Sequence, residues 1–300
     1  MRRSPKICEI FGLNHDHPQM PELTSRQLEL FSGQGFLRLE AFLPAEVIER
    51  LIADIEDGIA RGARASFAEG KIQQTFDGEP FERRLASIER ERAGNTGAGR
   101  HVLGKNLKTA GMFALMTYPP LLDLVESLIG PEILSHPQFN TQAKMPNEEN
   151  SKIPWHQDLA FLDPDAEETL MVNFWIPLVD ATLENGCLEV IPGSHRTGLK
   201  PHGKVSDVGT EGIADRDLPS HDIAACPVNR GGAVMFTHKL VHRSRPNLTD
   251  KIRWSVDIRF SDPREPTGRD NVPGFLARSV DRPAEVAKSH LDWLALTEGL

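Results

Sequence analysis

The stretch "TLMVNFWIPLVDATLENGCLEVIPGSHR" runs from Thr169 to Arg196. It holds two short apolar runs, each closed by turn residues, with no helical spacing in either. Runs of this length bounded by Asp, Asn-Gly and Pro-Gly read as buried strands. The pattern repeats on both sides. "HPQFNTQAKMP" (His136–Pro146) and "PWHQDLAF" (Pro154–Phe161) precede it; "GGAVMFTH" (Gly231–His238) and "IRWSVDIRF" (Ile252–Phe260) follow. Strands at such spacing, without alternating helices, predict a β-sandwich or barrel.

Upstream the period changes. Thr24 or Ser25 can cap a short helix that Gly33 and Gly35 end, and "FLRLEAF" (Phe36–Phe42) then alternates like a strand. Pro44 suits the first turn of a second helix, where its missing N–H has no partner. Val47, Ile48, Leu51, Ile52, Ile55 and Ile59 recur along it at helical spacing. Leu121, Leu122, Val125, Leu128 and Ile129 form the apolar face of another helix, which Gly130 and Pro131 end. Between these helices the chain is polar, and "RERAGNTGAGR" (Arg90–Arg100) reads as a loop. The Asn185-Gly186 pair is a hairpin signal.

Composition bounds the function. The chain has 300 residues, is 39% hydrophobic and carries a net charge of −9. That argues against an extended basic face for nucleic acid. No apolar run reaches the roughly 18 residues of a membrane span. No secretory signal is read at the N-terminus. Three cysteines, Cys8, Cys187 and Cys226, lack zinc-site spacing, which predicts reduced thiols and a cytoplasmic protein.

Chemistry gathers at "PWHQDLAF". In a strand, residues two apart share a face, so His156 and Asp158 project together with Gln157 opposite. On that spacing alone the pair is either one edge of a metal site or a charged pair on a strand. His242 stands after the apolar run of Gly231–Thr237 and supplies a third ligand type. Two imidazoles and a carboxylate on one face leave open positions, an arrangement suited to non-haem Fe(II). Arg253 is either a surface strand residue or a fork for a carboxylate. His238, four residues before His242, reads as an outer partner of the site. Cys187 reads as packing.

The residues "HQD" (His156–Asp158), "NGCLEVIPGSHR" (Asn185–Arg196) and "HRSRPNLTDKIRWSVDIRF" (His242–Phe260) resemble the phytanoyl-CoA dioxygenase family of Fe(II)- and 2-oxoglutarate-dependent oxygenases. The likeness runs over about 26–265. It implies a mainly β fold with α elements: a double-stranded β-helix (a cupin-like jelly roll) with the N-terminal helices packed on one sheet. It implies His156, Asp158 and His242 as iron ligands, and Arg253 with Ser244 on the distal carboxylate of 2-oxoglutarate. Lys105 and Asn173 are further candidates for the co-substrate, and Gln142, Phe161 and Arg259 for the substrate pocket. The cofactors implied are Fe(II), 2-oxoglutarate and O2. The reaction implied is hydroxylation of a small molecule with release of succinate and CO2. Asp158 favours hydroxylation, since related halogenases lack that carboxylate. A silent metal- and 2-oxoglutarate-binding module, or desaturation, epoxidation or ring formation, remains the alternative. The family name suggests an acyl-CoA, but no basic cluster supports one, and the oligomeric state is not readable.

The expected organisation is an N-terminal extension (1–25), one oxygenase domain (26–265) and a C-terminal extension (266–300). The jelly-roll core is expected over about 135–262, with lid segments over about 63–100 and 200–228. In "RWSVDIRF" Arg253, Ser255, Asp257 and Arg259 should share the inner face. Asp257 and Arg259 are expected to pair there.

Overall fold

The computed structural model describes residues 6–8, 11–12, 22–96, 107–146, 153–205, 211–220, 222–269 and 271–297. Its elements in chain order are β1 (Lys6–Ile7), β2 (Phe11–Gly12), α1 (Ser25–Gln34), β3 (Phe36–Glu40), α2 (Ala45–Ala68), α3 (Phe81–Thr96), α4 (Ala110–Met116) and α5 (Pro119–Ile129). Then come β4 (Ile133–Ser135), β5 (Asn140–Lys144), β6 (Ile153–His156), β7 (Val172–Pro177), β8 (Leu188–Val190), β9 (Gly203–Lys204) and β10 (Glu211–Gly212). The chain closes with β11 (Ala224–Cys226), β12 (Ala233–Thr237), β13 (His242–Ser244), β14 (Arg253–Ser261), β15 (Phe275–Arg278) and α6 (His290–Ala295).

The helix starts follow from local chemistry. Thr24 caps α1, its hydroxyl accepting from the Gln27 N–H while Gln27 reaches back to the Thr24 N–H. Gly33 lies inside α1, and Gly35 alone ends it, at φ +83. A side chain at Gly35 would also strike the His195 ring. Pro44 is the cap before α2 rather than its first turn.

Two sheets form the jelly roll. The larger has the order β15-β4-β14-β7-β12-β3-β2, with β5 also paired to β14; the smaller has β1-β11-β8-β13-β6. Period-two alternation divides the larger sheet between two cores. Val172, Phe174 and Ile176 of β7, and Trp254, Val256, Ile258 and Phe260 of β14, join the core built with α2, α4 and α5. On the opposite face Trp175, Val234 and Phe236 meet Val190 and Leu240 in a second cluster, between the sheets. Inward-facing Arg253, Ser255 and Arg259 are buried there without belonging to either apolar cluster. At roughly 25 cal/mol per Å2 of apolar surface removed from water, the helix-covered face is the main source of stability. The polar inner face is left to the site.

Several expectations are corrected. The loop expected over Arg90–Arg100 is helical in its described part, since α3 carries the chain to Thr96, and within the expected first lid α2 runs to Ala68; positions 97–100 lie outside the described residues. Asn185-Gly186 turns the chain, with Gly186 at φ +98, but makes no hairpin. β7 and β8 lie in different sheets, because β8 pairs with β11 and β13. The tail beyond 265 is more than an extension. β15 pairs with β4, and Trp293 of α6, only 2% exposed, sits in the main core against Phe139 and Phe275. The first residues likewise add β1 to the smaller sheet and β2 to the larger. Within the expected second lid, β9 pairs with β10 and β11 belongs to the smaller sheet.

Candidate metal and co-substrate site

His242 opens β13 and pairs in register with His156, the last residue of β6. Cross-strand neighbours share a face, and their rings stand 4.1 Å apart between centroids. Asp158 does not lie on the strand. The extended backbone ends at Gln157, and Asp158 begins a short 3-10 turn to Phe161. Gln157 still points away, as expected. Fully buried, it donates to the Gly198 and Lys239 carbonyls and accepts from the Lys200 N–H. Those bonds lock the turn that returns Asp158 to the histidines. His156, Asp158 and His242 each bring a ligand atom within 4.8 Å of the others, and form the one such group among the described residues.

The tautomers are set by the backbone. His156 Nδ1 lies 2.9 Å from the Pro154 carbonyl and His242 Nδ1 lies 3.0 Å from that of Leu240. A carbonyl only accepts, so each Nδ1 carries the proton and each Nε2 keeps its lone pair for a ligand. Burial, then the neighbouring His156, pushes His242 down to about 3, so its imidazole is neutral. Burial would raise the Asp158 carboxyl, but the Arg259 guanidinium and the two imidazoles outweigh it and hold it well below the usual carboxylate range. Two imidazoles, each with its Nδ1 turned to a backbone carbonyl, and one carboxylate therefore face each other, the donor set of a facial Fe(II) site.

Asp158 is held on both oxygens. Asn173 Nδ2 of β7 donates to Oδ2 at 2.6 Å, and Arg259 Nη2 of β14 lies 3.1 Å from Oδ1. The expected Asp257–Arg259 pair is thus replaced. Asp257 instead accepts from Gln142 Nε2 at 2.8 Å, and burial with the nearby Asp158 raises it to about 6. Asn173 and Arg259 are partners across the β7–β14 ladder, which brings both to one carboxylate.

Arg253 begins β14 and is fully buried. Its Nη1 donates to Ser255, its guanidinium lies 4.9 Å over the Trp175 ring, and its Nε and Nη2 have no partner. Burial lowers its pKa to about 10, so it stays cationic. A buried cation with two unused donors calls for an anion. The Ser244 hydroxyl, two residues beyond His242, is buried and unpaired as well. Lys144 stands opposite Arg253 in register and is pushed down to about 7, first by burial and then by that guanidinium. Phe161 sets its ring edge against His156 at 5.9 Å. His238 lies outside the three-residue group. Lys105 falls outside the described residues.

Sequence reasoning missed His202. Its Nε2 accepts from the Gln157 N–H at 3.0 Å and its ring meets Phe161 at 5.9 Å. In a polar segment an imidazole carries no periodic signal, so nothing local marked it.

A profile of the phytanoyl-CoA dioxygenase family (PhyH) matches residues 31–255. The chain belongs to this family of Fe(II)- and 2-oxoglutarate-dependent oxygenases. Phytanoyl-CoA dioxygenase domain-containing protein 1 of Bos taurus is 29% identical over 276 residues, covering 80% of this chain and 90% of that protein. The peroxisomal phytanoyl-CoA dioxygenase of Homo sapiens is 30% identical over 157 residues, covering 50% of this chain and 46% of that enzyme. Among solved structures, the apo non-heme monooxygenase ThoJ matches with a TM-score of 0.58 at 23% identity, over 90% of this chain and 92% of that one. EctD from S. alaskensis, solved with 2-oxoglutarate and 5-hydroxyectoine, matches with a TM-score of 0.55 at 18% identity, over 88% and 83%. These structural likenesses establish the shared fold. Among the described residues no single helix is long and apolar enough to cross a membrane.

Proposed function

We propose that His156, Asp158 and His242 hold Fe(II), that Arg253 and Ser244 take the distal carboxylate of 2-oxoglutarate, and that the protein hydroxylates a small-molecule substrate with release of succinate and CO2. The observation that carries this reading is the pairing of two Nδ1-protonated histidines and one carboxylate with a buried guanidinium whose Nε and Nη2 are unpaired. When bound, Fe(II) with 2-oxoglutarate and O2 supplies the oxidising chemistry. The chain's own residues do the rest. Asn173 and Arg259 fix the orientation of Asp158, which keeps the ligand face in place as partners outside a metal's ligands commonly do. Arg253 offers a planar fork to a carboxylate. The ring of Phe161, beside His156, supports a place for it on the wall where substrate approaches. Gln142, bonded to Asp257, is kept as a candidate for substrate contact, and Arg259 is read as a holder of Asp158 rather than of substrate. Segment 200–205 with 211–213 packs onto β6 through the Ile213 N–H to the Trp155 carbonyl, which supports a covering role.

The test is succinate formation from 2-oxoglutarate by the Fe(II)-loaded protein under air, with ascorbate and a panel of small metabolites. Succinate that depends on Fe(II) and disappears in Asp158→Ala is expected. Tight iron and 2-oxoglutarate binding with no succinate under any condition would favour a binding module instead.

A further inference from the structure

The three cysteines are all free and buried, and two of them are neighbours. β1 runs parallel to β11 with Lys6 opposite Ala224 and Ile7 opposite Ala225. Continuing that register by one residue sets Cys8 opposite Cys226, and the Cys8 N–H donates to the Ala225 carbonyl at 3.0 Å. The two sulfurs lie 2.6 Å apart. Adjacent strands are about 4.8 Å apart, inside the roughly 4.4–6.8 Å range of Cα separations that a disulfide spans.

We infer that Cys8 and Cys226 are an oxidisable dithiol, and that a peroxide converts them to a disulfide stapling the N-terminal strand to the sheet that carries His242.

The surroundings favour Cys8 as the attacking group. Arg38 of β3, buried at 4% exposure, donates from Nη1 to the Cys8 carbonyl at 3.2 Å. The Cys226 thiol, and after it this guanidinium, lower the Cys8 pKa below its ordinary value despite burial. Cys226 is raised, by burial first and then by its hydrogen bond with Cys8. Cys187 is the third thiol nearby, and burial pushes it up to about 12, which leaves it a poor nucleophile. The Cys8 thiolate attacks one peroxide oxygen, the O–O bond breaks, and a sulfenic acid forms with loss of hydroxide. Cys226 sulfur then attacks the sulfenic sulfur, its proton leaves with the departing oxygen as water, and the S–S bond forms. Two thiols and one hydrogen peroxide give one disulfide and two waters. β1 is a two-residue strand at the sheet edge, so its fraying admits a molecule as small as hydrogen peroxide.

The link closes a loop of 218 residues. Loops of that size constrain the unfolded chain strongly, and the oxidised protein should melt about 5–10 °C above the reduced one. The experiment treats the full-length protein with hydrogen peroxide, blocks remaining thiols with N-ethylmaleimide in denaturant, and maps peptides without reductant. The expected result is a Cys8–Cys226 cross-linked peptide, one blocked Cys187, and a melting increase that dithiothreitol reverses. Cys187→Ser should keep both results, and Cys8→Ser should lose both while still folding. Three blocked thiols after peroxide, a link through Cys187, or a cross-link with no change in melting would overturn the inference.

Discussion

Replacing Arg253 by Met should weaken co-substrate binding without lowering the stability of the ligand-free protein. The guanidinium is fully buried with Nε and Nη2 unpaired. Each hydrogen bond to a charged partner contributes about 1.5–3 kcal/mol. Two such bonds to the distal carboxylate of 2-oxoglutarate therefore account for roughly 3–6 kcal/mol, or about 10²- to 10⁴-fold in Kd at 1.4 kcal/mol per decade. Without co-substrate the same charge is a cost. Burial lowers its pKa from 12.5 to about 10, and at about 1.4 kcal/mol per unit that is a penalty on the order of 3 kcal/mol at neutral pH. The contact over Trp175 offsets about 0.5–2 kcal/mol of it, and the bond to Ser255 offsets more. Removing the charge should leave the melting temperature of the ligand-free protein level or slightly raised. Calorimetric titration of 2-oxoglutarate into the Mn(II)-loaded protein, beside thermal melts without ligand, reads both effects. A Kd within tenfold of the parent, or a clear drop in melting, would refute the reasoning and make Arg253 a structural residue.

Arg259→Met removes the cation held against a buried carboxylate. Loss of such a partner should weaken Mn(II) binding about 10- to 100-fold, with Arg259→Lys intermediate; unchanged affinity in a metal titration would count against a holding role. The metal-free protein should lose stability as pH falls. His136 and His238 are pushed by burial from 6.5 to about 4, so between those values the unfolded chain binds more protons and acid favours unfolding. His242, pushed to about 3, acts in the same sense, and Asp257, raised to about 6, opposes them as one group against three. Melting curves from pH 7 to pH 4 should therefore fall steadily, and a flat profile would contradict the assignment. Trp293→Ala should cost about 3–5 kcal/mol by emptying a core position, measured by denaturant unfolding. A loss under 1 kcal/mol would return the tail to the status of an appendage.

Much of the fold was legible because two periods carry it. The helical spacing of Ile48, Leu51, Ile52 and Ile55 and the alternation through "RWSVDIRF" both reappear as buried faces. The three residues that gather as the candidate metal site were legible too, though Asp158 reaches the histidines through a turn rather than along a strand. What escaped depends on register between distant strands. The Asp257–Arg259 pair was argued within one strand, whereas β7 places Asn173 opposite Arg259 and draws both to Asp158. The burial of Trp293 and the Cys8–Cys226 contact escaped as well: short segments near the termini show no period, and Phe139 and Cys226 are far from them in sequence.

The most direct test of the account is anaerobic binding of Fe(II) followed by 2-oxoglutarate, observed by visible absorption. The account predicts one iron per chain and a charge-transfer band on adding 2-oxoglutarate. The band should be lost in His156→Ala, Asp158→Ala and His242→Ala, and should need far more 2-oxoglutarate in Arg253→Met. Iron binding that survives all three ligand substitutions, or a band that Arg253→Met leaves untouched, would contradict it.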